Sequence, residues 1–215
     1  MATLLHIDSS AFHEPSVSRE LTATFRREWE SRHPDGTVVY RDLAKNPLPH
    51  LTADGIIGAA TPAEARTPGQ AEAAALRAEL AEELERADAI VIGTPMYNFT
   101  IPSALKAWLD QVIIAGRTGG PAPSAAGTPT TVIAARGGGY GPGTPRESFE
   151  FVATYLEKVL TAMLGLEVDF VIPELTLARS KPEMAELVDL ADASRAQAQE
   201  DVVLKAKTLA ERFVA

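Results

Sequence analysis

The chain has 215 residues, enough for one domain with a sizeable apolar core, and its 46% hydrophobic and 23% charged residues are ordinary for a globular protein. A formal charge of −9 excludes an electrostatic nucleic-acid footprint, and the lack of cysteine removes disulfides, thiol nucleophiles and thiolate metal sites together. No apolar run approaches membrane-spanning length and no basic region leads into an apolar core at the start, so the reading is of a soluble, cytoplasmic protein with no membrane partner.

Strands alternate with helices along the chain. Thr3 to Asp8 reads as a short buried strand, and Ser16 to Arg32 as a helix with Leu21, Phe25 and Trp29 along one face. Thr37 to Asp42 is a second strand, rich in β-branched residues. The connection from Leu43 to Pro68 is proline-, glycine- and alanine-containing; it holds a short helix whose position the pattern does not give. Gln70 to Ala87 is a helix with Leu76, Leu80 and Leu84 on one face, and Ala89 to Gly93 is the third strand. A helix follows from Pro102, which suits a first turn because its missing N–H costs nothing there. Leu105, Trp108, Leu109, Val112 and Ile113 form its apolar stripe. Thr130 to Ala135, a helix from Glu147 to Leu164, Val168 to Ile172 and a helical run from Pro182 to the C-terminus complete the pattern. Repeated alternation with near-continuous apolar strands predicts one α/β domain over residues 1–215, its parallel sheet covered on both faces.

Three loops at carboxyl ends of strands carry the chemistry. Thr94-Pro95-Met96-Tyr97-Asn98-Phe99 follows strand three and holds three large side chains where a solvent loop carries small polar ones. It reads either as a loop packed on the core or as one shaped around a flat, partly apolar ligand. After strand one, hydroxyls cluster at Ser9, Ser10, Ser16 and Ser18, and the second pair opens a helix. Helix N-termini offer unpaired N–H groups and a positive dipole end to phosphate. Ser16 alone would serve as an N-cap, but a cap does not require a second serine pair upstream. Neither a G-x-G-x-x-G fingerprint nor a P-loop is present. After strand four, Arg136-Gly137-Gly138-Gly139-Tyr140-Gly141-Pro142-Gly143 lets backbone approach a ligand closely. In a sheet of order 2-1-3-4-5, strands one, three and four are central and the switch point lies between one and three. One ligand then reaches all three loops, with phosphate at strand one and a ring at strands three and four.

That constellation is the FMN site of the flavodoxin-like fold. Pro95 to Phe99 with Leu105-Lys106, Ala135-Arg136-Gly137-Gly138, Ser10, and Ser16-Val17-Ser18 resemble the FMN-dependent NADH-azoreductases, also called NADH:quinone oxidoreductases, over nearly the whole chain. The resemblance implies a three-layer sandwich with a five-stranded parallel sheet of order 2-1-3-4-5. It also implies noncovalent FMN, NADH or NADPH as donor, quinone or azo acceptors, ping-pong transfer, and a homodimer with active sites at the interface. Carried over by position, Ser10, Ser16, Val17 and Ser18 take the phosphate. Pro95, Met96, Tyr97, Asn98 and Phe99, with Ala135, Arg136, Gly137 and Gly138, take the isoalloxazine ring. No side chain is expected as an obligatory acid or base, and none as a metal ligand; His6, His13, His33 and His50 read as strand, loop and surface residues.

Two features depart from the family's pattern. The segment 116–129 is short and lacks the aromatic residue that relatives carry, and Ala135 stands where a hydroxyl is common. Alternatives on the same fold are an NADPH:FMN reductase and a non-enzymatic flavodoxin-like electron carrier.

Overall fold

The computed structural model describes residues 1–213. Strands β1 (Thr3–Asp8), β2 (Thr37–Asp42), β3 (Ala89–Pro95), β4 (Pro129–Ala135) and β5 (Glu167–Val171) form a parallel sheet of order β2-β1-β3-β4-β5. The chain therefore reverses its direction of travel across the sheet after β2, when β3 returns to the free edge of β1. β1 pairs with β3 from Leu4↔Ala89 to Asp8↔Gly93, and β3 pairs with β4 as far as Pro95↔Ala135. This register sets the carboxyl ends of the three central strands side by side, where open α/β sheets bind ligands.

Period-two alternation divides the strand side chains between two cores. Leu5, Ile7, Ile90, Ile92 and Val132 face α3 (Pro68–Arg86), α4 (Ser103–Val112) and α5 (Ala153–Lys158) through Leu80, Leu84, Leu105, Trp108 and Leu156. Leu4, Val91 and Ile133 face α1 (Val17–Arg32) and α6 (Val188–Glu211) through Leu21, Phe25, Trp29 and Val202. The helical stripes legible in the sequence are the buried ones. Thr67 opens α3 with a full capping box, its hydroxyl accepting from Gln70 N–H while Gln70 returns a bond to Thr67 N–H.

Most element ends fall within two residues of the sequence expectation, and the larger departures have local reasons. The short helix of the long connection is α2 (Ala53–Ala60), capped by Thr52. Its sequence is weakly helical because of Gly55 and Gly58. Gly58 is there for packing, since a Cβ on it would lie 2.8 Å from the carbonyl oxygen of Gln70 on α3. Pro102 is the N-cap of α4 rather than a first-turn residue, and its carbonyl accepts from Leu105 and Lys106 N–H. The expected helix from Glu147 is interrupted. Glu150 turns its carboxylate onto the N–H groups of Val152, Ala153 and Thr154, and Phe151 N–H bonds Phe99 O, so α5 begins only at Ala153 and ends in a π-turn over Val159–Met163. The final helical run starts as a 3₁₀ segment over Pro182–Leu187 before α6, and its last two residues, 214 and 215, lie outside the described residues.

Trp29 is fully buried, 4.6 Å from the His33 ring, and its indole N–H has no partner among the described residues. Trp29→Ala should lower unfolding free energy by about 3–5 kcal/mol. Trp29→Phe removes an unsatisfied donor along with the lost volume and should cost clearly less than half of that. Urea denaturation of the two variants measures the difference.

Candidate active site

The site is built from the loop after β1 upward. Ser9 donates both its N–H and its hydroxyl to the carbonyl of Gly93, at 3.0 and 2.9 Å, which ties the loop to β3. Ser10 is buried; its hydroxyl accepts from Phe12 N–H, and its carbonyl accepts from Arg19 at 2.8 Å. Ser16 occupies the N-cap position of α1 in extended backbone geometry, yet its side chain makes no cap hydrogen bond. Thr52 and Thr67 do cap their helices in this same chain. The first-turn N–H groups of α1, Val17 and Ser18 among them, therefore receive nothing from the hydroxyl placed to serve them. The Ser16 hydroxyl instead lies 3.4 Å from that of buried Ser18. An uncapped helix N-terminus flanked by two hydroxyls has the free donors that an anion cradle requires.

Beneath the cradle sits a charged cluster that sequence reading missed. Arg19 forms a two-bond fork with Asp42, at 2.7 and 2.9 Å, and lies 3.6 Å from Asp8. Tyr40 donates to Asp8 at 3.0 Å and Thr22 does so at 2.9 Å. His6 packs on the Tyr40 ring, with Nε2 3.2 Å from Asp8. Burial and the neighbouring Asp8 charge push the Tyr40 hydroxyl up to about 12. Burial alone would raise Asp42. The Arg19 hydrogen bonds and the N–H groups of Lys45 and Ala44 outweigh it and hold that carboxylate at about 2. The signal for this cluster was present as polar residues at alternate positions of β1 and β2, but only the pairing of those strands brings them together.

The turn after β3 faces the cradle. Tyr97 and Thr100 exchange N–H···O bonds, leaving Asn98 and Phe99 at φ 49° and 68° as the two central residues of a tight turn. Positive φ at Phe99 is a real backbone cost, and such strain concentrates at ligand sites. The Tyr97 hydroxyl accepts the N–H of Ala11 at 3.2 Å, so the serine loop and this turn touch. On the other side a cleft of about 1100 Å³ opens between Met96, Asn98, Phe99, Gly137, Gly138 and Tyr140 and the segment following β5. Phe99 stacks within 5.0 Å of Phe149 and meets Tyr140 edge-on at 6.2 Å.

The model of the flavodoxin-like fold family matches residues 2–200. An FMN-dependent NADH:quinone oxidoreductase of Streptomyces coelicolor is 60% identical over 217 residues, covering 100% of this chain and 98% of that protein. Its namesake from Streptomyces avermitilis is 60% identical over 218 residues with both chains covered completely. The chain belongs to this oxidoreductase family. Among solved structures, an azoreductase from Bacillus anthracis superposes with a TM-score of 0.82 at 25% identity, covering 97% of this chain and 100% of that one.

In this family member the residues singled out in the sequence for the ring separate into three groups. Met96, Asn98, Phe99, Gly137 and Gly138 line the cleft. Pro95, Tyr97 and Ala135 position it: Pro95 and Ala135 are register partners, Met96 N–H bonds Ala135 O at 2.8 Å, and Tyr97 reaches the serine loop. Arg136 turns away from the cleft. Its guanidinium is buried between Glu150 and Glu174 at 3.2 and 3.1 Å, and its N–H and carbonyl bond Pro173 and Thr176. It anchors the glycine loop to the segments before α5 and after β5. None of residues 116–129 lines the cleft. Arg117 and Ser124 hold that segment to Glu85 on α3, and the aromatic walls are Phe99 and Tyr140 instead. Among the described residues no helix is long and apolar enough to cross a membrane.

The depressed Asp42 makes stability pH-dependent. Its folded value lies below the ordinary 3.8, so its contribution is complete above about pH 4 and is lost as pH falls toward 2. The loss should amount to about 2 kcal/mol. Circular dichroism melts between pH 5 and 2 should show a shallower decline in Asp42→Asn than in the wild type.

Proposed function

We propose that this protein is an FMN-dependent oxidoreductase that passes two electrons from NADH or NADPH to quinones and azo compounds, in ping-pong order. The observation that carries the reading is the uncapped start of α1, with the Ser16 and Ser18 hydroxyls beside it, joined through the Tyr97–Ala11 hydrogen bond to an aromatic- and glycine-walled cleft. An anion cradle next to a flat, partly apolar slot matches a molecule that is a phosphate at one end and a ring at the other. The relatives named FMN-dependent NADH:quinone oxidoreductase support it at 60% identity.

Ser10, Ser16, Val17 and Ser18 would hold the FMN phosphate through hydroxyls and first-turn N–H groups. Met96, Asn98 and Phe99 would hold one side of the ring and Gly137 and Gly138 the other, with Pro95, Tyr97, Ala135 and Arg136 fixing those loops. When bound, FMN supplies hydride acceptance and two-electron delivery, and the protein's part is to orient it and tune its electronics. The Asn98 turn and the glycine loop contribute backbone donors, and Phe99 and Tyr140 narrow the slot and limit water. No acid or base side chain is assigned.

Dimerisation belongs to the same reading. Phe12, Phe149 and Phe151 near the cleft and Ile56 and Ile57 on α2 are all exposed, a set of large apolar side chains that a second copy would cover. Sedimentation should show a dimer. A stable monomer with full turnover on dilution would refute a shared site.

Replacing Ser16 and Ser18 together by Ala should weaken FMN binding by about 1–3 kcal/mol per charge-assisted hydrogen bond lost. Riboflavin, which has no phosphate, should bind both proteins about equally. Fluorescence titration decides it, and an unchanged FMN affinity would leave these serines without the assigned role.

With residues 116–129 held against α3, aromatic cover comes only from the walls named above, where each ring contact contributes about 0.5–1.5 kcal/mol beyond area. Small planar quinones lose least from a short cover and extended azo dyes lose most. The kcat/KM for a benzoquinone should exceed that for a methyl-red-type dye, and the reverse order would show the cover to be sufficient.

A further inference from the structure

Several charged side chains that the reading above does not use line the cleft, and one of them lies over the glycine loop. This is Arg146, whose Nη1 lies 3.8 Å from the point that a Cβ on Gly138 would occupy. An exposed arginine ordinarily extends its head into water; this one folds back over the glycine loop. Among the described residues Arg146 makes no ion pair and donates no side-chain hydrogen bond. The neighbouring charges are otherwise engaged. Glu174 accepts from Arg136 at 3.1 Å and from Tyr140 N–H at 2.7 Å, and Glu147 accepts from Gly143 N–H at 2.7 Å. Lys181 and Glu183 also line the cleft and offset one another in sign.

We infer that Arg146 tunes the bound ring electronically, by holding a positive charge where the ring gains negative charge on reduction. The inference rests on the FMN reading above. A bound FMN would supply hydride acceptance: taking hydride from NADH, which leaves as NAD cation, would add two electrons and one proton, hence one unit of negative charge, and passing the hydride to a quinone with one proton from water would give the hydroquinone. A cation beside the glycine loop favours the charged, reduced state over the neutral, oxidised one. Charge near the ring is one of the levers by which a protein sets flavin electronics. The loop's backbone donors act in the same direction, since a hydrogen bond to a charged acceptor is stronger than one to a neutral acceptor, and the guanidinium adds a full positive charge to them.

The test is anaerobic measurement of FMN dissociation constants for the oxidised and the chemically reduced cofactor, in the wild type, Arg146→Gln and Arg146→Lys. Since Arg146 is exposed and makes no ion pair among the described residues, neither substitution threatens the fold. Arg146→Gln should leave oxidised FMN affinity within about twofold and weaken reduced FMN about three- to tenfold, a modest factor because water screens the charge. For a two-electron couple this is a midpoint potential about 15–30 mV more negative. Arg146→Lys should keep most of the wild-type ratio. An unchanged ratio in Arg146→Gln, or equal weakening of both states, overturns the inference while leaving the FMN reading intact. Wild-type protein that binds no FMN overturns both.

Discussion

Two hydrogen bonds from Ser9 to the Gly93 carbonyl hold this architecture's working edge together. They join the end of β1 to the middle of β3 at the one place where the strand order reverses. The fit there is close on all sides. A Cβ on Gly93 would lie 2.5 Å from the Asp8 carboxylate and 2.7 Å from the Thr22 methyl, both buried, so only glycine leaves room for the polar layer under the serine loop. With that contact made, the serine loop, the Tyr97 turn and the glycine loop face one another without further adjustment.

The charged layer below the cradle stiffens it. Arg19 sits in the first turn of α1, where a cation is unfavourable against the helix dipole. Asp42 and Asp8 compensate it, and Nη2, which bonds Asp42, donates its second hydrogen to the Ser10 carbonyl. The loop is thus held by its backbone while the Ser16 and Ser18 hydroxyls face no such demand. On the opposite side of the cleft Arg136 does the equivalent work for the glycine loop, spanning Glu150 and Glu174. Both arginines are paired, Arg136 buried and Arg19 with its side chain only 10% exposed, whereas among the described residues Arg146 is exposed and makes no ion pair. The contrast separates cations that build the site from one free to act on what occupies it.

Strain is concentrated in the same place. The described non-glycine residues with positive φ are Asn98, Phe99 and Leu175, and all three line the cleft. Phe99 is held in that conformation by the Tyr97–Thr100 bonds and by the acceptance of Phe151 N–H at its carbonyl. A turn that would otherwise relax is over-determined, and a large aromatic side chain is held partly open to solvent.

Period and composition alone determined most of the fold. Continuous apolar strands and four-spaced stripes such as Leu21-Phe25-Trp29 are local consequences of burial on one face, so element types and the parallel sheet were legible from the residues. The Met96–Phe99 turn and the serine pairs were legible too, because large side chains in a turn and hydroxyls at a helix start are unusual locally. What only tertiary structure decided were matters of long-range pairing. Whether Ser16 caps α1 depends on where its hydroxyl points. Arg136 reads as a cleft residue until Glu174, brought close by the chain beyond β5, turns it inward. The break before α5 needs Glu150 near its own backbone and Phe99 across the loop. The Arg19–Asp42–Asp8 cluster needs β1 beside β2. Apart from the Ser16 hydroxyl and the Glu150 carboxylate, which act within a few residues, these pairings join residues far apart in the chain, where packing rather than sequence neighbourhood sets a side chain's partner.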